Sequence, residues 1–217
     1  MKATQIKAIE TRDLVAMTTS QMEALTSTQV AAFSSNQLAA LSTEQLAAIE
    51  TQDLVALSAK QIASLSATQV AGLSTTQVSN LRPSQVASLT SDAVAALTDA
   101  QLQAMTSQQI AAFKTGQIQA LTSDQAANLT VDQINGLSHA QIAAFETEDL
   151  AALTTTNIAA LSTGQLTAMS NFQLSNLTED QIAAIETQDL AALNNAQLGA
   201  LQTQQFAAMT SEQVSNL

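Results

Sequence analysis

The sequence predicts an all-α solenoid, a superhelix of short capped helices with one helix per eight-residue repeat. Three observations carry this. Met1 is followed by 27 consecutive octads that use every remaining residue. Each octad approximates [ST]-x-x-Q-[ILV]-x-A-L, with positions p1 to p8 counted from Lys2. A hydroxyl at p1 followed three residues later by Gln is a capping box, the signature of a helix start.

At p1, Ser or Thr stands in 18 of the 27 octads. Its oxygen can accept from the p4 N–H while the p4 side chain reaches back to the p1 N–H, which satisfies two donors that a helix start leaves open. Pro83, the only proline, lies at p2, the first helical position and the one that tolerates it. Of the 18 acids, 17 lie at p1 to p4, where the helix dipole favours negative charge; Glu23 at p6 is the exception. Position p4 is Gln in 21 octads, Asp in four, and otherwise Asn157 and Ala93. Position p5 is a large apolar residue except at Ala126, p7 is Ala, Ser, Gly or Asn, and p8 is always Leu, Ile, Met or Phe. A turn of about 100° per residue puts p1, p4, p5 and p8 on one face, with small p7 beside it to admit a neighbouring helix. Positions p2, p3 and p6 point outward. A helix this short cannot stand alone in water, so its stability must come from stacking on neighbours.

Two rival folds fit less well. One continuous helix would rotate its apolar face by about 80° per octad, and no coiled-coil seam survives that drift. A β-solenoid would need alternation and turn glycines, but p5 to p8 runs apolar-small-small-apolar and the chain has five Gly.

A longer unit overlies the octad. Residues 2–41, 42–81, 138–177 and 178–217 align as five-octad blocks, residues 82–121 form a degenerate copy, and 122–137 are two additional octads. No linker or composition shift interrupts the pattern, so residues 1–217 read as a single continuous array. The two additional octads mark the single octad as the physical unit. The block length hints at about five octads per superhelical turn.

Composition excludes several functions. A net charge of −12 with 2% aromatics argues against a nucleic-acid partner, which calls for a basic face and stacking platforms. With no Cys there are no disulfides and no thiolate metal sites. No apolar run approaches a membrane span. His139 is the only histidine and stands alone at p2, which leaves no Ser-His-Asp set beyond it and no clustered metal ligands. No phosphate-binding glycine loop occurs. These features predict no enzyme activity and no cofactor.

The one acidic constellation is Glu at p1 with Asp at p4, as Glu10/Asp13, Glu50/Asp53, Glu146/Asp149 and Glu186/Asp189. Carboxylates from successive superhelical turns could converge into calcium sites. The plainer reading is that each pair travelled with its duplicated block, Asp being well placed at a helix start. The Gln row at p4 could form a binding surface. The reading favoured here is that it supplies the caps and links octads by amide hydrogen bonds. Met17, Met105, Met169 and Met209, with Phe33, Phe113 and Phe145, fill p8 as core residues. Phe172 at p3 is the exposed aromatic candidate. The free hydroxyls at p2 and p3 vary too much for a regular lattice match to ice or a polymer.

The run of [ST]-x-x-Q-[ILV]-x-A-L octads resembles the long Thr/Gln/Ala/Leu arrays of some very large proteobacterial exoproteins with adhesin-like or haem-utilisation-like labels. That resemblance covers the whole chain and implies a surface-exposed or secreted stalk or matrix component. The expected function is therefore structural: a rod, stalk or filament-forming segment, extracellular or at the cell surface. Its alternatives are a solenoid binding module for a peptide, glycan or protein, and a calcium-stiffened adhesin segment. The array shows no polar caps at either end, so its expected partner is itself, through head-to-tail stacking.

Overall fold

In the computed structural model, which describes residues 1–217, the chain forms 27 α-helices of four to six residues, from α1 (Ala3–Ala8) to α27 (Ser211–Ser215), and no strand. Every octad contributes one helix, as the recurring caps predict. The residue at p1 adopts extended backbone, as at Ser42 with φ −70° and ψ 163°, and p2 begins the helix. The Ser42 N–H donates to Gln45 Oε1 at 3.1 Å, and the Gln45 N–H donates to Ser42 Oγ at 3.2 Å. Pro83 opens its helix as expected. The helix closes between p5 and p7, and the p8 N–H returns to the p5 carbonyl, as Leu97 does to Val94 at 3.1 Å.

The helices fall into two compact units, Met1–Ala112 and Phe113–Leu217, each a short-helix repeat solenoid built in the same way. Within a unit, helices pack on the third helix before or after them in the chain. Thus α10 (Thr75–Ser79) meets α13 (Asp99–Ala104), and α20 (Thr155–Ala159) meets α23 (Glu179–Ala184). Side chains at p4 reach one octad further back, to residues 28–31 positions earlier in the chain. A turn therefore takes between three and four octads. The five-octad block is not a turn, which corrects the hint read from its length.

The core is made by p5 and p8. The p5 side chains from Ile6 to Leu190 are 0–1% exposed, and p8 is buried from Leu25 to Met209. Burying one such side chain stabilises by about 1.5–3 kcal/mol, which is how such short helices persist. The p8 residues Met105, Met169, Met209, Phe33, Phe113 and Phe145 are buried core fillers, and Met17 is half-buried. Position p7 permits close approach: a Cβ placed on Gly72 would lie 3.0 Å from the Cβ of Thr43, three octads earlier. Position p1 is exposed throughout, contrary to the face assignment. As N-cap it has extended backbone, so the helical rotation that placed it beside p4 does not apply to it.

Candidate functional site: the amide row between octads

The chemistry-bearing side chains that are buried all stand at p4. Gln side chains there are almost fully buried from Gln37 to Gln213, and no buried side-chain nitrogen or oxygen lacks a hydrogen-bond partner. Each makes two kinds of bond. Its Oε1 accepts from the p1 N–H of its own octad. Within each unit its Nε2 donates to the p8 carbonyl of the octad four before, and most also reach the p5 or the p6 carbonyl of that octad. Gln69 is representative: its Oε1 accepts from Ser66 N–H at 2.9 Å, and its Nε2 donates to Leu38 and Leu41 carbonyls at 2.9 and 2.8 Å. Gln165 repeats this on Ile134 and Leu137, both at 2.9 Å.

This geometry explains the residue type. Glu could close the capping box but has no N–H for the carbonyls. Only an amide offers an acceptor to its own helix and donors to the turn beneath. The acceptor half also survives where p1 lacks a hydroxyl: the Lys114 N–H donates to Gln117 Oε1 at 2.7 Å. The inter-octad links expected from sequence are thus present, though to the fourth octad back and to backbone. Asn157, one methylene shorter, still reaches the Leu129 carbonyl at 3.0 Å.

The Glu/Asp octads depart from the pattern. Glu10, Glu50, Glu146 and Glu186 occupy the N-cap position without a side-chain cap bond. Asp53, Asp149 and Asp189 are buried, each 4% exposed. Each accepts a hydrogen bond from a p2 hydroxyl three octads earlier: Ser27 to Asp53, Ser123 to Asp149 at 2.8 Å, and Thr163 to Asp189. Burial pushes the Asp149 carboxyl above the usual aspartate range, the Ser123 hydroxyl opposes this, and Glu146 and Glu148 add to the rise. Asp13 is exposed and pairs with Arg12, whose Nε lies 3.5 Å from it and 3.0 Å from Glu10. Sequence reasoning missed the p2 hydroxyl partners. The signal was present as a Ser or Thr 26 residues before each buried Asp, but it has meaning only once the turn length is known.

The acidic pairs are not brought together. Successive turns superpose residues 26–31 apart, whereas Asp13 and Asp53, like Asp149 and Asp189, are separated by a 40-residue block. No three His, Asp or Glu side chains converge as metal ligands would. His139 is exposed and lies over Gly164, where an added Cβ would collide with its Nε2. Phe172 is 69% exposed on the surface of the second unit. No helix is long and apolar enough to cross a membrane.

No curated protein is similar enough to the chain to count as a match. A family model described as the ALTTAQ repeat matches five times, at residues 6–43, 46–83, 103–139, 142–179 and 182–217, leaving 84–102 between the second and third matches. Those five segments take in most of the chain, and the protein belongs to the ALTTAQ repeat family.

Proposed function

We propose that the array is a structural segment, a spacer, stalk or filament-forming rod whose output is length and stiffness, and that it performs no catalysis. The observation that carries this reading is the use of the buried polar groups. The buried amides at p4 hold octads together within each unit, and no three acidic side chains converge as metal ligands would. The resemblance to large exoproteins supports a place outside the cell or at its surface. It also supports a partner made of further octads, stacked head to tail. Binding through the outer surface is the second reading. Phe172 favours it as the one exposed aromatic anchor at an outward position.

Small-angle scattering tests the structural role on arrays of increasing octad number. A stiff segment gives a maximum dimension that rises in proportion to the number of octads. Scaling with roughly the 0.38 power of chain length, as for a globule, or with about the 0.6 power, as for a coil, overturns it.

A further inference from the structure

The corner between consecutive octads carries a groove that the stacking of turns does not use. In the second unit such a groove, of about 470 Å³, lies at the Leu137–Ser138 corner, far from either end of the sequence. Asn135, Leu137, Ser138 and His139 line one side, and Ser162 and Gln165 of the octad four later line the other. The chain itself shows what fits there. At the equivalent corner of the first unit, Arg82 stands at the p1 position that Ser162 holds here. Its Nη2 donates to the Leu57 carbonyl at 2.9 Å, beside Gln85 Nε2, also at 2.9 Å. Arg82 is exposed, so the groove leads from solvent to this carbonyl. Gln202 at p1 likewise donates to the p6 carbonyl of Ser175 at 2.8 Å. Where p1 is Ser, that place is not taken from within. The Leu137 carbonyl accepts from Gln165 at 2.9 Å, and the Ser162 hydroxyl donates instead to Gln165 Oε1 at 3.0 Å. A carbonyl has two lone pairs, so Leu137 keeps the one that Leu57 gives to Arg82.

We propose that the corner grooves with Ser or Thr at p1 are seats for arginine side chains of a basic partner polypeptide. Two features select that occupant. The planar guanidinium carries five N–H donors, enough to serve the p6 and p8 carbonyls together, and it sheds water more readily than an ammonium. The net charge of −12 draws a basic chain to the surface. Two of the Glu octads sharpen the seat. Glu50 follows Ile49, whose carbonyl accepts from Gln77 at 2.8 Å, and Ser74 is the p1 residue four octads after Ile49. Glu146 follows Phe145, whose carbonyl accepts from Gln173 at 2.8 Å, and Ser170 is the corresponding p1 residue. Neither Glu50 nor Glu146 caps its own helix, and a place beside a bound cation gives each a role. Such seats need only folded octads, so they hold whether or not the array serves as a rod.

Nuclear magnetic resonance on the isotope-labelled full chain, at physiological salt, tests this corner by corner through the carbonyl carbon shifts. The probe is N-acetyl-arginine amide, with N-acetyl-lysine amide as its charge-matched control. The arginine probe should move Leu137, and should move Ile49 and Phe145 further. It should leave Leu57 in place, because Arg82 already fills that seat. Arg82→Ser should make Leu57 respond. Ser162→Gln, which fills a seat at constant net charge as Gln202 does, should silence Leu137. Ser and Gln each stand at p1 elsewhere, so circular dichroism and melting temperature should match the parent chain. Shifts with the lysine probe should be smaller by about threefold or more. A peptide of alternating Gly and Arg should bind at least about tenfold more tightly than the single amide, as linked groups do. Equal responses of Leu57 and Leu137 in the parent chain overturn the proposal without any variant. No shift at Leu137 also overturns it, as do equal shifts from the two probes, which would show diffuse attraction between charges. A peptide that binds no more tightly than the amide overturns the polypeptide partner.

Discussion

The side-chain amide of Gln109 donates to the carbonyl of Leu81 at 2.7 Å and to that of Val78 at 3.0 Å, joining octads four apart. The same side chain accepts from the Thr106 N–H at 2.8 Å. Replacing Gln109 by Leu should cost about 1–3 kcal/mol, because two buried carbonyls lose a donor. Gln109→Glu should cost more, about 3–5 kcal/mol, since it sets a buried charge against those carbonyls. Urea unfolding of both variants, with amide exchange at octads ten and fourteen, measures this. Equal cost for the two would mean that the amide row is a spacer and not a bonded seam.

The face assignment predicts opposite outcomes two residues apart. Ile49 at p8 is 2% exposed, and Ala47 at p6 is exposed. Ile49→Lys should destabilise by several kcal/mol by burying an unpaired charge. Ala47→Lys should stay within about 0.5 kcal/mol. Thermal melts of the two variants decide it.

Asp149 gives stability a pH dependence of unusual sign. Its folded carboxyl titrates above the ordinary value of 3.8, because burial disfavours the charged form. The folded state therefore binds the proton more tightly than the unfolded state. The penalty is present at pH above the raised folded value and is relieved as pH falls through it toward 3.8. Asp149→Asn should stabilise at neutral pH by about 1 kcal/mol, helped by an amide that can donate to carbonyls as Asn157 does to Leu129. The gain should shrink toward zero in acid. A gain independent of pH would show that the carboxyl of Asp149 is not the source.

Two glycines separate propensity from packing. A Cβ at Gly116 meets nothing within 4 Å, while at Gly72 it meets the Thr43 side chain at 3.0 Å; neither glycine has positive φ. Gly116→Ala should stabilise by about 0.5–1 kcal/mol. Gly72→Ala should gain less or lose, because stiff, β-branched Thr43 must move. A larger gain at Gly72 would mean that adjacent turns are looser than the geometry shows.

Calcium should leave the melting temperature unchanged, because Glu50/Asp53 and Glu186/Asp189 reach no further acidic ligand. A rise in melting temperature that Asp189→Asn abolishes would restore the calcium-stiffened reading.

Much of this molecule was legible one octad at a time. Pro83, the Ser42-to-Gln45 spacing and the p5/p8 pairs locate helix starts and core side chains, because capping and burial are decided within eight residues. What was not legible lies between octads. Turn length depends on how each p8 corner redirects the chain, and small angular differences there decide between three, four and five octads. The carbonyl partners of Gln69 and the hydroxyl partner of Asp149 follow from that number. The five-octad block misled because it records duplication, whereas stacking ignores block boundaries.

An octad with an amide at p4 carries both halves of its joint: a donor for what lies beneath, and p5, p6 and p8 carbonyls for what lies above. Any such octad can thus rest on any other, as a plank with a tongue on one edge and a groove on the opposite edge fits every plank of its kind. Misaligned recombination between copies of such a gene would add or remove whole octads and still yield matched joints. A gain of two octads, such as 122–137, leaves every seam with a legal partner, whereas a gain of one residue would break every joint that spans it. The number of octads in a unit is thereby free to drift one octad at a time while the joint between turns stays the same.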